Sequence, residues 1–447
     1  MELHMLKVMS IFTDSRRLNF SLFVIYKLLL DITYITIQSD VFEYSGYNKV
    51  IIWSRILTGW GVFLSMSYFI CRWKNNVYSL FLYVMHLMTI VPLIVLFQYN
   101  IEYKLWMVLA QCICILFMMF IFKIPQKVCV VNQTHKIGFN NKKFQFILIT
   151  SLLIYTLFIY FKFGIPTFES MLLANISETR AEAEISLVLS LFQNLFCRII
   201  LPFCILWYTK NRHWLLVAFC LFVQIYTYAV TGYKTYLFIP FVLLTIQFVR
   251  NIKLDRVVIC GMITIILIVD CLYFNGQDII WYALVCNRLI FLTAKIKYSY
   301  FDYFSNHDFA YFSQSSFAQL IGIKSNYSEN IPNMIGEEYF DKPQMWTNTG
   351  FIADAYSNMG YIGIMIMAIV LAIVLRYANS ITKQIPSPYN IMVEAVFLLF
   401  FISLNDGAVI SVLFSGGMIA AIFFFHYIDF NDKSKIKSPR IVNQNIK

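Results

Sequence analysis

Four short stretches carry the residues best suited to chemistry: Arg180 in "GIPTFESMLLANISETRAEAE", Lys234 in "VTGYKTYLFIP", Arg288 in "NRLIFLTAKIKYSYFDYF" and Asp354 in "FIADAYSNMG". The three cations suit an anion. A guanidinium offers a planar fork that matches two phosphate oxygens, an ammonium offers a point charge, and opposite charges about 4 Å apart attract by roughly 4 kcal/mol at an effective dielectric near 20. Plainer roles also fit two of them. Arg180 has Glu178, Glu182 and Glu184 beside it for a surface ion pair, and Lys234, near a helix end, can snorkel to water or lipid phosphate. Arg288 is more isolated, with Asp278 the only acidic residue in the ten positions before it. Asp354 suits a general base toward a hydroxyl, as do Asp302, Glu337 and Asp341, and it suits equally a packing or capping carboxylate beside "TNT".

Aromatic residues crowd the same stretches: Tyr300, Phe301 and Tyr303 follow Arg288, and Tyr233 precedes Lys234. Singly such residues mark a membrane interface. Together they also offer apolar faces to the C–H surfaces of sugar rings.

The elements that hold these residues must be membrane helices. Of 447 residues, 60% are hydrophobic and 13% charged, with a mean hydropathy of +0.68, against roughly 45–50% apolar usage in soluble domains. Apolar runs of about 18 or more residues recur, long enough to cross a hydrocarbon core about 30 Å thick, and they lack the alternation of a membrane barrel. The sequence predicts an all-α polytopic membrane protein with about 12 spans: 18–37, 50–70, 77–97, 105–122, 144–161, 185–208, 214–231, 235–249, 257–275, 351–375, 391–404 and 408–428. No internal repeat divides it, so 1–447 reads as one membrane domain. The last two spans read equally as one broken pair around "NDG" at 405–407. Lys27 and Asp31, four apart, are expected to pair, while Arg198, Asp270 and Glu394 are intramembrane charges that either serve function or hold spans together.

Of the 35 Lys and Arg, 22 fall in segments on one side of these spans, 10 on the other and 3 within spans. Basic residues are retained in the cytoplasm, which puts both termini there, including a basic tail at 429–447. The net charge of +11 then reflects topology, with no nucleic-acid partner. The basic start, Lys7 with Arg16 and Arg17, leads into an apolar run with no small-residue cleavage site and reads as a retained span. The opposite side holds one long loop, 276–350, between spans nine and ten. Its opening is expected to form an interfacial or re-entrant helix, because only about 15 apolar residues run before charges resume. The ten cysteines show neither disulfide nor metal-ligand spacing and read as small apolar residues. No metal or cofactor is expected.

From "GIP" before Arg180, through "TGYK" and "NRLIFLTAKIKYSYFDYF", to "MWTNTGFIADAYSNMGYIGIMIMAIVL", residues 150 to 375 carry, in order, short motifs resembling those of Wzy-type O-antigen polymerases. These are the oligosaccharide repeat-unit polymerases of bacterial surface polysaccharide synthesis. The resemblance implies a glycosyltransferase of the bacterial inner membrane, acting at its periplasmic face on undecaprenyl-diphosphate-linked oligosaccharides. It implies as partners the membrane lipid, a polysaccharide chain-length regulator and the flippase of the same pathway. Under it, Arg288, Lys234 and Arg180 would hold the substrate diphosphate, Asp354 would act as general base, and Tyr300, Phe301, Tyr303 and Tyr233 would touch sugar or lipid. Two departures stand out: relatives often carry arginine where this chain has Lys234, and Thr349 stands where related O-antigen ligases have a histidine. His307 is then the only histidine on the outer side. A lipid-linked oligosaccharide flippase and an O-antigen ligase remain the rival readings.

Overall fold

The computed structural model describes residues 15–73, 76–124, 137–138, 142–167, 186–248, 253–276, 279–315, 318, 322–387 and 389–430. Helices run in the order α1 (Arg16–Val41), α2 (Trp53–Ile70), α3 (Val77–Tyr99), α4 (Leu105–Lys123), α5 (Lys142–Phe163), α6 (Val188–Lys210), α7 (Trp214–Thr231), α8 (Lys234–Phe248) and α9 (Leu254–Phe274). A helix of three consecutive stretches follows as α10: Ile280–Tyr282, the π-helical Ala283–Phe291, and Leu292–Phe304. Then come α11 (Ile331–Phe340), α12 (Phe351–Gln384), α13 (Tyr389–Asp406), α14 (Val409–Leu413) and α15 (Met418–Tyr427).

Among the described residues, ten stretches are long and apolar enough to cross a membrane, α14 and α15 counting together, where the sequence suggests twelve. The other two exist as helices. At 15 residues α8 is about 22 Å long, short of the hydrocarbon core, and α2 is diluted by Arg55, Thr58 and three serines. Helix α3 forms the hub, with 94% of its apolar window buried, whereas α5 and α9 have 22% buried and leave most of their apolar surface exposed. Seven of the nine described cysteines are buried free thiols, as expected of small apolar residues.

Contacts between helix ends fix the arrangement. Trp106 lies against Tyr356 and Arg376 donates to the Ile121 carbonyl, so α4 and α12 run parallel. At the far end of the bundle Tyr389 stacks on Trp207, Tyr377 bonds His426 at 3.1 Å, and Ile137–Gly138 (β1) pairs in parallel with Ile428–Asp429 (β2). Helix α10 does not cross the bundle. Its Tyr282 stacks on Phe42, Asn287 accepts from Gln38 at 2.9 Å, Lys295 donates to the Ser45 carbonyl, and Asp302 lies 3.9 Å from Lys104. All these partners belong to the outer turns of α1 or to connections at that same end, which agrees with a helix lying along the bundle rather than a further span.

The expected Lys27–Asp31 pair forms, and Lys27 also donates to Gln98 Oε1 at 2.6 Å. Asp270 accepts from Thr33 and ties α9 to α1. The last two spans are a broken pair: α13 ends at Asp406, α14 lasts five residues, and the 10-residue α15, about 15 Å long, returns to the β2 end. Helix α12 also breaks. Met359 and Gly360 leave helical geometry, Gly360 at φ +60°, and a side chain there would meet the Phe309 ring at 2.8 Å.

Candidate functional site

Where α6, α12 and α13 converge beneath α10, a polar cavity of about 580 Å³ opens. The breaks described above bring it about. Helix α6 loosens into a π-helical turn, Phe196–Ile200, which carries Arg198, and such turns commonly aim side chains at functional sites. Its walls are stitched together by Asn194, which donates to the Ser415 carbonyl at 2.8 Å and accepts from Tyr236 at 3.0 Å.

Charge converges on this space from three spans. Arg198 and Asp406 line it half-buried, and Asp354 lines it from the first turns of α12. Among the described residues Arg198 makes one hydrogen bond, Nη1 to Ser403 Oγ at 3.3 Å, and its buried Nε has no partner. A cation near the middle of a span with its donors largely uncommitted is costly, and it is available to an incoming anion. Thr349 also lines the cavity, its buried Oγ1 without a hydrogen-bond partner among the described residues.

Behind the wall lies a lysine that the sequence reading does not single out. Lys297 of α10 is 1% exposed, and burial pushes its ammonium down to about 8, against the pull of Asp406. Its Nζ donates to Asn405 Oδ1 at 2.9 Å, Thr89 donates to the same oxygen at 2.7 Å, and Asn405 Nδ2 donates to Asp406 Oδ1 at 2.7 Å. Gly350 makes this reachable: a β-carbon there would stand 2.3 Å from the Asn405 carbonyl oxygen and 2.8 Å from Lys297 Cε. In sequence, Lys297 is one of two lysines in an aromatic, charge-bearing stretch, with nothing to signal burial.

The structure divides the residues expected from sequence. Asp354 and Tyr300 reach the cavity, the Tyr300 phenol donating to the Thr347 carbonyl at 2.9 Å. Lys234 opens α8 next to Thr235, which lines the cavity, with Gly232 in left-handed geometry at the tight turn, and Tyr233 packs edge-on to Tyr236. Arg288 is exposed on α10 and is not part of the cavity wall. Phe301 is fully buried and stacked on Tyr356, so its face serves packing. Tyr303 stacks on His307 at 3.9 Å near the surface, outside the lining. Arg180 lies outside the described residues.

No protein-family model, curated protein or solved structure matches this chain. Among the described residues no three His, Cys, Asp or Glu side chains converge as metal ligands. What the cavity offers is a guanidinium, two carboxylates, and a wall of Asn, Ser, Thr and Gln side chains suited to hydroxyl-bearing molecules.

Proposed function

We propose that the protein transfers oligosaccharide between lipid-diphosphate carriers, polymerising repeat units of a surface polysaccharide at the outer face of a bacterial inner membrane. The observation that carries the reading is the meeting of Arg198, Asp354 and Asp406 in one polar cavity inside a membrane protein. Breaking an anomeric C–O bond to a diphosphate builds negative charge on the leaving group, and a preplaced guanidinium stabilises it with no reorganisation. A carboxylate beside it takes the acceptor hydroxyl's proton. The neutral polar wall supports sugar recognition. Arg198 takes the diphosphate role that the sequence reading gives Arg288, and Lys234, which opens α8 beside the lining residue Thr235, keeps the role of assisting cation. The resemblance in residues 150 to 375 agrees with this chemistry, and Thr349 in place of a histidine speaks against a ligase.

One observation favours translocation of the same lipid-linked oligosaccharide. Broken helices such as α13 to α15, with charge at the break, are a common feature of transporter sites. A gel of surface polysaccharide from a null strain decides between the two. Lipopolysaccharide capped with a single repeat unit is the outcome expected of a missing polymerase, whereas complete loss of O-antigen sugar points to translocation.

A further inference from the structure

We propose that Asp406, at the broken end of α13, is the carboxylate that accepts the acceptor's proton, and that Lys297 is its positioning residue, acting through Asn405. This rests on the glycosyl-transfer reading above. Two carboxylates reach the cavity, and their surroundings differ. Asn405 Nδ2 donates to the Asp406 carboxylate at 2.7 Å. Lys297, behind the wall, and Arg198, bonded to Ser403 one turn earlier in α13, both lie within electrostatic range of it. Among the described residues neither a cation nor a donor side chain engages the Asp354 carboxylate; the Ser357 hydroxyl at 2.7 Å and the Asn358 amide at 2.8 Å donate to its backbone carbonyl instead.

The relay has one possible sense. An ammonium only donates, so the Asn405 atom facing Lys297 is the oxygen, and its NH₂ is left to point at Asp406. Thr89 locks the same orientation from α3. Of the elements around Lys297, α13 presents the charged Asp406, α3 the neutral Thr89, and α12 the bare backbone of Gly350. Lys297 is too buried to meet substrate, and its effect reaches the cavity through the amide.

In the transfer, the acceptor oxygen bonds to the donor's anomeric carbon while its proton passes to Asp406. The anomeric C–O bond to diphosphate breaks, and its electron pair leaves on the diphosphate oxygen, opposite Arg198.

The test uses full-length protein in proteoliposomes, supplied with the undecaprenyl-diphosphate-linked repeat unit extracted from a strain lacking this chain, with product length read on gels across pH. Wild-type elongation is expected to decline as pH rises through about 8, where Lys297 loses its proton. Lys297→Arg, which stays protonated, is expected to elongate and to move that decline upward by at least a pH unit. Asp406→Asn is expected to slow elongation by at least ~100-fold, and Asp354→Asn by less than about tenfold. An unshifted profile for Lys297→Arg, or an Asp406→Asn variant within about tenfold of wild type, overturns the inference while leaving the glycosyl-transfer reading intact. A wild-type protein that makes nothing longer than one unit overturns both. Each variant is scored on material that inserts like wild type, so either one alone decides if the other does not fold.

Discussion

At the scale of single residues, burial and hydrogen bonding separate cations that look alike in sequence. Arg198 sits on a loosened turn with its Nε unpartnered among the described residues, whereas Arg288 is exposed on a helix that leaves it out of the cavity. Arg198→Ala is therefore expected to collapse polysaccharide ladders to single units, with Arg288→Ala retaining long chains; the reverse pattern would return the diphosphate to α10. Lys297 gives a second expectation. Its folded value of about 8 lies below the ordinary 10.5, so between those values the unfolded chain binds more protons and stability rises with pH. The unfolding temperature of wild type relative to Lys297→Met should accordingly climb from pH 8 to 10, and a flat difference would contradict this. Arg198 is legible from sequence as a charge inside an apolar run. Lys297 is not, because its depth comes from α12 and α13 closing over it.

At the scale of elements, the breaks do the positioning. Gly350 has ordinary extended backbone at φ −70°, so Gly350→Ala tests packing alone: the added methyl must push α12 from Asn405, at a cost of about 1–3 kcal/mol and with loss of elongation. Thermal unfolding of the purified variant measures it. At the α12 break the freed carbonyls of Ser357 and Asn358 accept from the Ala310 and Tyr311 amides at 3.0 and 2.9 Å. This holds Tyr311 and Phe312 at positive φ, 50° and 57°, with Phe312 on the cavity wall. Gly360→Ala should strain this junction by about 1–3 kcal/mol, seen as a lower unfolding temperature. The glycines at the entrance of α12 are plain in sequence. Which neighbour each one admits is not, since that neighbour comes from another part of the chain.

At the scale of the whole molecule, the cavity, α10 and the described residues between Ser305 and Gly350 share one end of the bundle with Lys49 and Lys104. Cysteines placed at Ser305 and Lys104 are expected to react with an impermeant thiol reagent from outside the cell, and one at Arg212 only after permeabilisation; labelling of position 305 from the cytosol would end the periplasmic reading. Sequence alone determined that this is a multi-pass helical membrane protein, the approximate place of each long helix and the expectation of a Lys27–Asp31 pair, because hydrophobic run length and i to i+4 spacing are local properties. Only the tertiary structure decided that Arg288 stays out of the cavity wall and that Lys297 of the same helix is buried against α13. It alone brought Arg198, Lys297, Asp354 and Asp406 around one space, from positions more than two hundred residues apart. Burial and charge compensation depend on which distant helices meet, and no local window of sequence contains that information.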